Sequence, residues 1–270
     1  MSYYESVAIA LGINILLAVS LYIPMAAGQI SLGHAGFMAI GAYVAVIAVK
    51  AGMAFSLALV AGSLAAALAG IVVGFPALRI RGIYLIILTM GFGEIVRIFF
   101  LNFEPTGGPA GIPGIKPLTT LPVLVVACLV AIFVAVQLRR SRIGRAMLAV
   151  HEDEGAAEAM GVNLVHIKLG SFALGAFFAG LGGGLYAHYA LYIEPAQFGF
   201  LRSAEVFLFV VLGGFTNVLG PIVGAAFVTL VPELLRFIQD WRMTFFGVLL
   251  VAAAIWRPDG LVSLRRSKGA

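Results

Sequence analysis

Apolar residues fill this chain in blocks of about twenty, separated by short polar stretches. At 1.5 Å of rise per residue, roughly 20 apolar residues in a helix cross about 30 Å of hydrocarbon. On that ruler the pattern predicts spans at 7–26, 35–50, 54–78, 82–103, 118–138, 166–192, 203–219, 221–238 and 243–256. The pair around Gly213 to Pro221 is short and poorly separated. The pattern therefore predicts an all-α, polytopic transmembrane helical bundle of about eight or nine spans in one domain over residues 1–270.

The longest strongly polar stretch, Arg139 to His166, interrupts this pattern. Within it, Arg145 to Met160 has helical composition, with Gly144 just before and Gly161 just after as a C-terminal stop. Met147, Leu148 and Val150 would form an apolar face; Glu152, Asp153, Glu154 and Glu158 would form a charged one. The spacing predicts one short amphipathic surface helix, either a solvated connector or a docking element for a partner.

Composition removes the soluble alternatives. The chain is 62% hydrophobic and 11% charged, with a mean hydropathy of +1.08, against about half apolar and a quarter charged in soluble domains. Its 33 glycines suit helices that must approach closely without a hydrophobic drive between them. The net charge of +5 sits in short clusters beside apolar runs, a pattern of membrane orientation that argues against a nucleic-acid partner. The clusters are Arg79 with Arg81, then Arg139, Arg140, Arg142 and Arg145, then Arg257, Arg265, Arg266 and Lys268. All fall on the cytoplasmic side if the N-terminus is outside and the C-terminus inside, with Glu104 to Pro117 and Glu194 to Arg202 facing out. That agreement favours nine crossings, although a re-entrant segment would alter the count. Before Lys50 there is no Lys or Arg, so the first block reads as a retained span and not a cleaved signal. Cys128 stands alone in an apolar run, which leaves it a packing role.

Catalytic patterns are missing. None of Lys50, Lys116, Lys168 and Lys268 follows a glycine, so no phosphate-binding loop of the Walker type is encoded. His34, His151, His166 and His188 lack metal-ligand spacing and read as satisfied core or interfacial residues, and no GxSxG elbow occurs. Ionisable groups at membrane depth remain as functional candidates. Glu94 with Arg97, and Glu233 with Arg236, are three apart and can pair on one helix face; Glu205 reads as lying at the water boundary. Two Gly/Pro-interrupted segments point to a pathway. Pro24 to Tyr43 carries Gln29, Ser31 and His34, and Leu212 to Gly224 carries Thr216 and Asn217; close packing plus a turn is the other reading of both.

On these segments the chain resembles the permeases of branched-chain amino acid ABC importers, of the LivM type. The matching stretches are Gly28 to Ala45, Gly91 to Gly114, Gly144 to Asn163, Ala176 to Tyr189, Val210 to Ala225 and Arg257 to Leu261, across nearly the whole chain. The wording SLGHAGF favours this type over its LivH-like counterpart. The resemblance implies a coupling loop at about 139–165, docked in a cleft of an ATPase subunit. Its EAAxxxG-like motif maps to Gly155, Ala156, Ala157 and Gly161, with glycine in place of the first glutamate and Glu154 just before. Gly144, Arg145 and Glu158 flank that motif. Implied partners are a LivH-like second permease subunit, two cytoplasmic ATP-binding subunits, an extracytoplasmic amino-acid-binding protein and the lipid bilayer of a bacterial inner membrane. No cofactor is expected in this chain, since ATP would be bound by the ATPase partners. The implied cargo is an aliphatic amino acid, with urea, amides or other amino acids as alternatives within the family. Extra N-terminal spans found in longer relatives are expected to be absent. A self-sufficient secondary transporter or channel, working through Glu94, Arg97, Glu233 and Arg236, is the reading from another class, and a non-transporting membrane scaffold is the third.

Overall fold

The computed structural model describes residues 3–78, 80, 82–234, 247, 248, 251 and 260–262. Among them the chain forms α1 (Tyr3–Met25), α2 (His34–Lys50), α3 (Phe55–Ala77), α4 (Ile83–Asn102), α5 (Leu121–Arg140), α6 (Arg142–Glu152), α7 (Glu154–Ala159), α8 (Leu164–Ala190), α9 (Phe200–Gly213) and α10 (Leu219–Leu234). No strand occurs among the described residues; a single bridge joins Ile112 to Ile193.

Helix α8 is the axis of the bundle, packed against α1, α2 and α3. The run Gly180 to Gly184 makes this close approach achievable. A methyl group built on Gly183 would overlap the Met38 carbonyl of α2, and one on Gly180 would stand 2.5 Å from Ala66 Cβ of α3. Within a bilayer such van der Waals closeness replaces the hydrophobic effect as the source of helix association. The opposite surfaces are apolar and exposed: Leu57, Leu64, Leu68 and Val72 on α3, Ile87 and Ile95 on α4, Val126, Leu129 and Phe133 on α5. A side chain exposed in this way is at ease against lipid or another membrane subunit and not in water.

The polar links sort to two ends of the bundle, and the one fully described basic cluster, Arg139 to Arg145, lies at the first. At one end lie the α1–α2 link, residues 139–163, the α9–α10 link and Gly260 to Val262, whose Leu261 and Val262 amides donate to the Leu212 and Gly213 carbonyls. At the other lie residues 103–120, folded back on 191–199 through the Ile112 amide and Ile193 carbonyl at 2.8 Å. Tyr189 at that second end donates to the Ser6 carbonyl at 3.2 Å, placing the N-terminal turn there.

The structure bears differently on three expectations and corrects the last. Among the described residues, six helical stretches are long and apolar enough to cross a membrane, α9 counted with the helical turn before it, and α2 and α10 are shorter apolar helices. Eight or nine full spans are therefore not established. The ninth span, at 243–256, and the basic residues Arg79, Arg81, Arg236, Arg257, Arg265, Arg266 and Lys268 lie outside the described residues, except for positions 247, 248 and 251. The surface helix expected over Arg145 to Met160 is two helices, because Asp153 adopts an extended conformation (φ −155, ψ 111) and its carboxylate caps the start of α7.

Close approach makes α8 sensitive to single methyl groups. Gly183→Ala should destabilise the protein by about 1–3 kcal/mol through overpacking. Gly170→Ala, at a helical position with open space around it, should be neutral or stabilising by up to about 1 kcal/mol. Unfolding by denaturant in mixed micelles measures both.

Candidate coupling and translocation site

The segment between α5 and α8 is built to hold a fixed shape. Ser141 opens α6 by accepting from the Gly144 amide at 3.2 Å. A side chain at Gly144 would overlap the Leu138 and Arg139 backbone, so the tight turn out of α5 requires glycine there. Asp153 accepts from the amides of Gly155 and Ala156 at 2.8 and 3.0 Å. Gly161 closes α7 with φ +83, the left-handed conformation that favours glycine after a helix. Asn163 then opens α8 by accepting from the His166 amide at 3.1 Å.

Met147, Val150 and Ala157 are the residues of α6 and α7 that turn into the bundle. Leu148, assigned by spacing to the apolar face, is 49% exposed, and Met160 is 85% exposed. Arg145, Gly155, Ala156 and Glu158 are exposed as well. The segment thus has a seated face and an outward one with uncovered apolar side chains. A buried ion pair locks the seat: Lys168 Nζ of α8, 4% exposed, lies 2.5 Å from Glu154 Oε1 at the start of α7. Removing one partner would strand a charge in a poorly solvated place. Sequence spacing did not show this pair, because its members are fourteen residues apart on different helices.

His151, near the C-terminal end of α6, touches both irregular links at once. Its Cα and Nδ1 would lie 3.3 Å from a Cβ on Gly28, which itself has φ +76. Its ring packs against Phe215 of the α9–α10 link, centroids 5.7 Å apart. Beside it, Arg139 reaches Tyr22 Oη at 3.4 Å and Asn217 Oδ1 at 3.3 Å. Thr216 is exposed in this link and Asn217 half-buried, so both belong to the end that carries α6, away from the centre of the bundle.

The α1–α2 link instead runs inward. Gln29 Oε1 accepts from Ser171 at 3.0 Å, Ser31 accepts from the Gly33 amide, and Leu32 donates to Thr89 of α4 at 3.0 Å. The amide of Ala35, in the first turn of α2, donates to Ser203 of α9 at 3.0 Å. Amides at the start of a helix have no partner within it, and here side chains of α4 and α9 supply them. Thr89 stands about two turns into α4 and Ser203 one turn into α9. Helices α2 and α9 therefore begin inside the bundle, their N-terminal turns in contact. His34 is 2% exposed. The Ser20 carbonyl faces it, yet neither ring nitrogen makes a hydrogen bond of good geometry. It is not the satisfied core histidine that the sequence suggested. Gln29, Ser31 and His34 are all buried inside this chain in the conformation seen.

Around the start of α9 the charged residues gather. Arg97 Nε donates to Glu94 at 2.7 Å, both side chains about one-third exposed, and the Arg97 stem passes Gly199. Arg202 pairs with Glu205 at 2.6 Å and donates to Asn14 Oδ1 at 2.8 Å; Asn14 in turn donates to Thr229 of α10 at 2.9 Å. Sequence spacing found the Glu94–Arg97 pair. It left Glu205 at the water boundary and passed over Arg202, Asn14 and Thr229, whose meeting depends on α1, α9 and α10 packing together. The companion pair of Glu233 with Arg236 falls partly outside the described residues.

Comparison with known proteins accords with this arrangement. Residues 3–254 match the family described as branched-chain amino acid transport system / permease component. The high-affinity branched-chain amino acid transport system permease protein LivM of Salmonella typhimurium is 35% identical over 96% of this chain and 68% of its own length. LivM of Escherichia coli gives the same values. LivH of Escherichia coli is 26% identical over 51% of this chain and 45% of its own length. No solved structure matches. The chain thus belongs to the family of permease components of branched-chain amino acid transport systems.

Proposed function

We propose that this chain forms one half of the translocation pathway of an ATP-driven importer for aliphatic amino acids. In this reading it sits in a bacterial inner membrane beside a LivH-like subunit. Two cytoplasmic ATPase subunits drive it, and an extracytoplasmic binding protein supplies it. ATP is bound by the partners. The N-terminus lies outside, the C-terminus inside, and nine crossings accommodate the charge pattern, with α2 and α9 as interrupted spans.

The observation that carries the proposal is the placement of α6 and α7. One rigid segment presents an outward face for a cytoplasmic partner, is pinned to α8 by Lys168 and Glu154, and touches both interrupted links through His151. A displacement imposed on that face reaches Gly28, ahead of α2, and Phe215, between α9 and α10, together. Such a bistable packing is what alternating access requires. The half-exposed pairs Glu94–Arg97 and Arg202–Glu205 support a pathway shared with a second subunit, since charges at membrane depth are costly against lipid and turn toward protein or water. An apolar route with few binding groups suits an aliphatic cargo that must be released as readily as it is bound.

Three outcomes check the reading. Ala156→Glu, on the exposed face of α7, should abolish co-purification of the ATPase subunits and uptake of labelled leucine while leaving membrane insertion unchanged; normal uptake would sink the coupling role. Glu154→Gln, which strands Lys168, should destabilise the protein by about 3–5 kcal/mol, and adding Lys168→Met should recover much of that loss in a thermal unfolding assay. The chain alone in liposomes should show no gradient-driven uptake, whereas a self-sufficient transporter would.

A further inference from the structure

At the outer end of the bundle, residues 112–119 fold across the tops of α2 and α8. The Ile112 amide donates to Ile193 at 2.8 Å and the Ile115 amide to Leu191 at 3.2 Å, while Thr119 donates to the Leu185 carbonyl at 2.8 Å. Lys50, the last residue of α2, reaches over to the Pro113 carbonyl at 3.2 Å. Beneath this strap lies a half-enclosed pocket of about 180 Å³, lined by Val46, Val49, Lys50, Ile115, Lys116 and His188 among others. Pockets for drug-sized ligands run to roughly 300–1,000 Å³, so this one is of a size for a small solute.

Its lining divides into three chemistries. Two ammonium groups, Lys50 and Lys116, stand exposed at the rim. Val46 and Ile115 are buried and apolar. His188, 1% exposed, has its Nδ1 3.0 Å from the Lys116 carbonyl. A carbonyl only accepts, so Nδ1 carries the proton, and in the neutral ring Nε2 is an acceptor. That buried Nε2 has no hydrogen-bond partner. Native structures leave few such atoms unsatisfied, and this one belongs to a residue that lines a pocket.

We infer that this pocket is an extracytoplasmic subsite for a zwitterionic amino acid with an aliphatic side chain. The carboxylate sits between Lys50 and Lys116, the alkyl group lies against Val46, Val49 and Ile115, and the ammonium donates to His188 Nε2, which is covered in the conformation seen and meets the ligand on a small shift of the ring. The inference rests on the proposed cargo and adds a place where that cargo is received before it passes between the subunits. Two lysines with no carboxylate in the lining set the polarity, and the single buried acceptor sets the orientation.

The test uses the transport complex isolated from its host and placed in phosphatidylcholine nanodiscs. Binding of L-leucine, of leucinol (no carboxylate) and of 4-methylpentanoate (no ammonium) is followed by ligand-observed NMR. Leucine should bind the wild type at least about tenfold more tightly than either analogue, on the scale of one charge-assisted hydrogen bond. The double variant Lys50→Gln/Lys116→Gln should weaken leucine about tenfold or more and leave leucinol unaffected, and Lys50→Arg/Lys116→Arg should restore it to within about threefold. His188→Phe should abolish the preference for leucine over 4-methylpentanoate. Equal leucine binding by the wild type and the glutamine variant would overturn the inference, as would a lysine dependence seen only with phosphatidylglycerol discs, which would mark a lipid headgroup site. Uptake by the wild-type complex in proteoliposomes, measured in parallel, separates the two levels. Leucine uptake with unresponsive pocket variants overturns the subsite and leaves the transport reading standing, whereas no leucine uptake overturns both.

Discussion

The close approach of α8 to α2 and α3 is the contact on which the rest of this structure depends. Gly183 against Met38, Gly180 against Ala66 and Gly41 against Gly180 leave no room for a side chain at these glycines. Lipid gives helices no hydrophobic reason to associate, so backbone proximity and dispersion must do it. Because α2 is held along this seam, it can begin inside the bundle without falling away. The Ala35 amide in its first turn then finds Ser203, and the Leu32 amide just ahead of the helix finds Thr89.

From that seam the two ends acquire different characters. At the end that carries α6 and α7 polar contacts dominate: caps at Ser141, Asp153 and Asn163, the pair of Lys168 with Glu154, and His151 set between the two links. These are short-range and directional, and together they fix the shape of the segment. At the opposite end the strap of residues 112–119 is tied to α2 and α8 through Lys50, Thr119 and His188, and a pocket stays open beneath it.

Between the ends, the ion pairs beside α9 show why a permease half carries charge at membrane depth. Arg202 is satisfied by Glu205 and Asn14, and Arg97 by Glu94. Each pair lowers its own burial cost yet keeps part of its surface uncovered. Lipid would penalise that surface; a second permease half or a hydrated path would not.

Much of this was written in the chain. Apolar blocks of span length announced an all-α membrane bundle, and the one long polar stretch its surface segment, because partition between water and hydrocarbon is decided residue by residue. The pair of Glu94 with Arg97 was legible for a similar reason, since three-residue spacing on a helix is a local geometric fact. Tertiary structure alone decided that Asp153 splits the coupling segment in two and that Leu148 faces out while Ala157 faces in. It also decided that Lys168 meets Glu154, that His151 joins two links far apart in sequence, and that Arg202, Asn14 and Thr229 form one network. It further gave His188 an unpaired nitrogen at a pocket. Each of these depends on which helices become neighbours, and no sequence period records the distance between side chains on different helices.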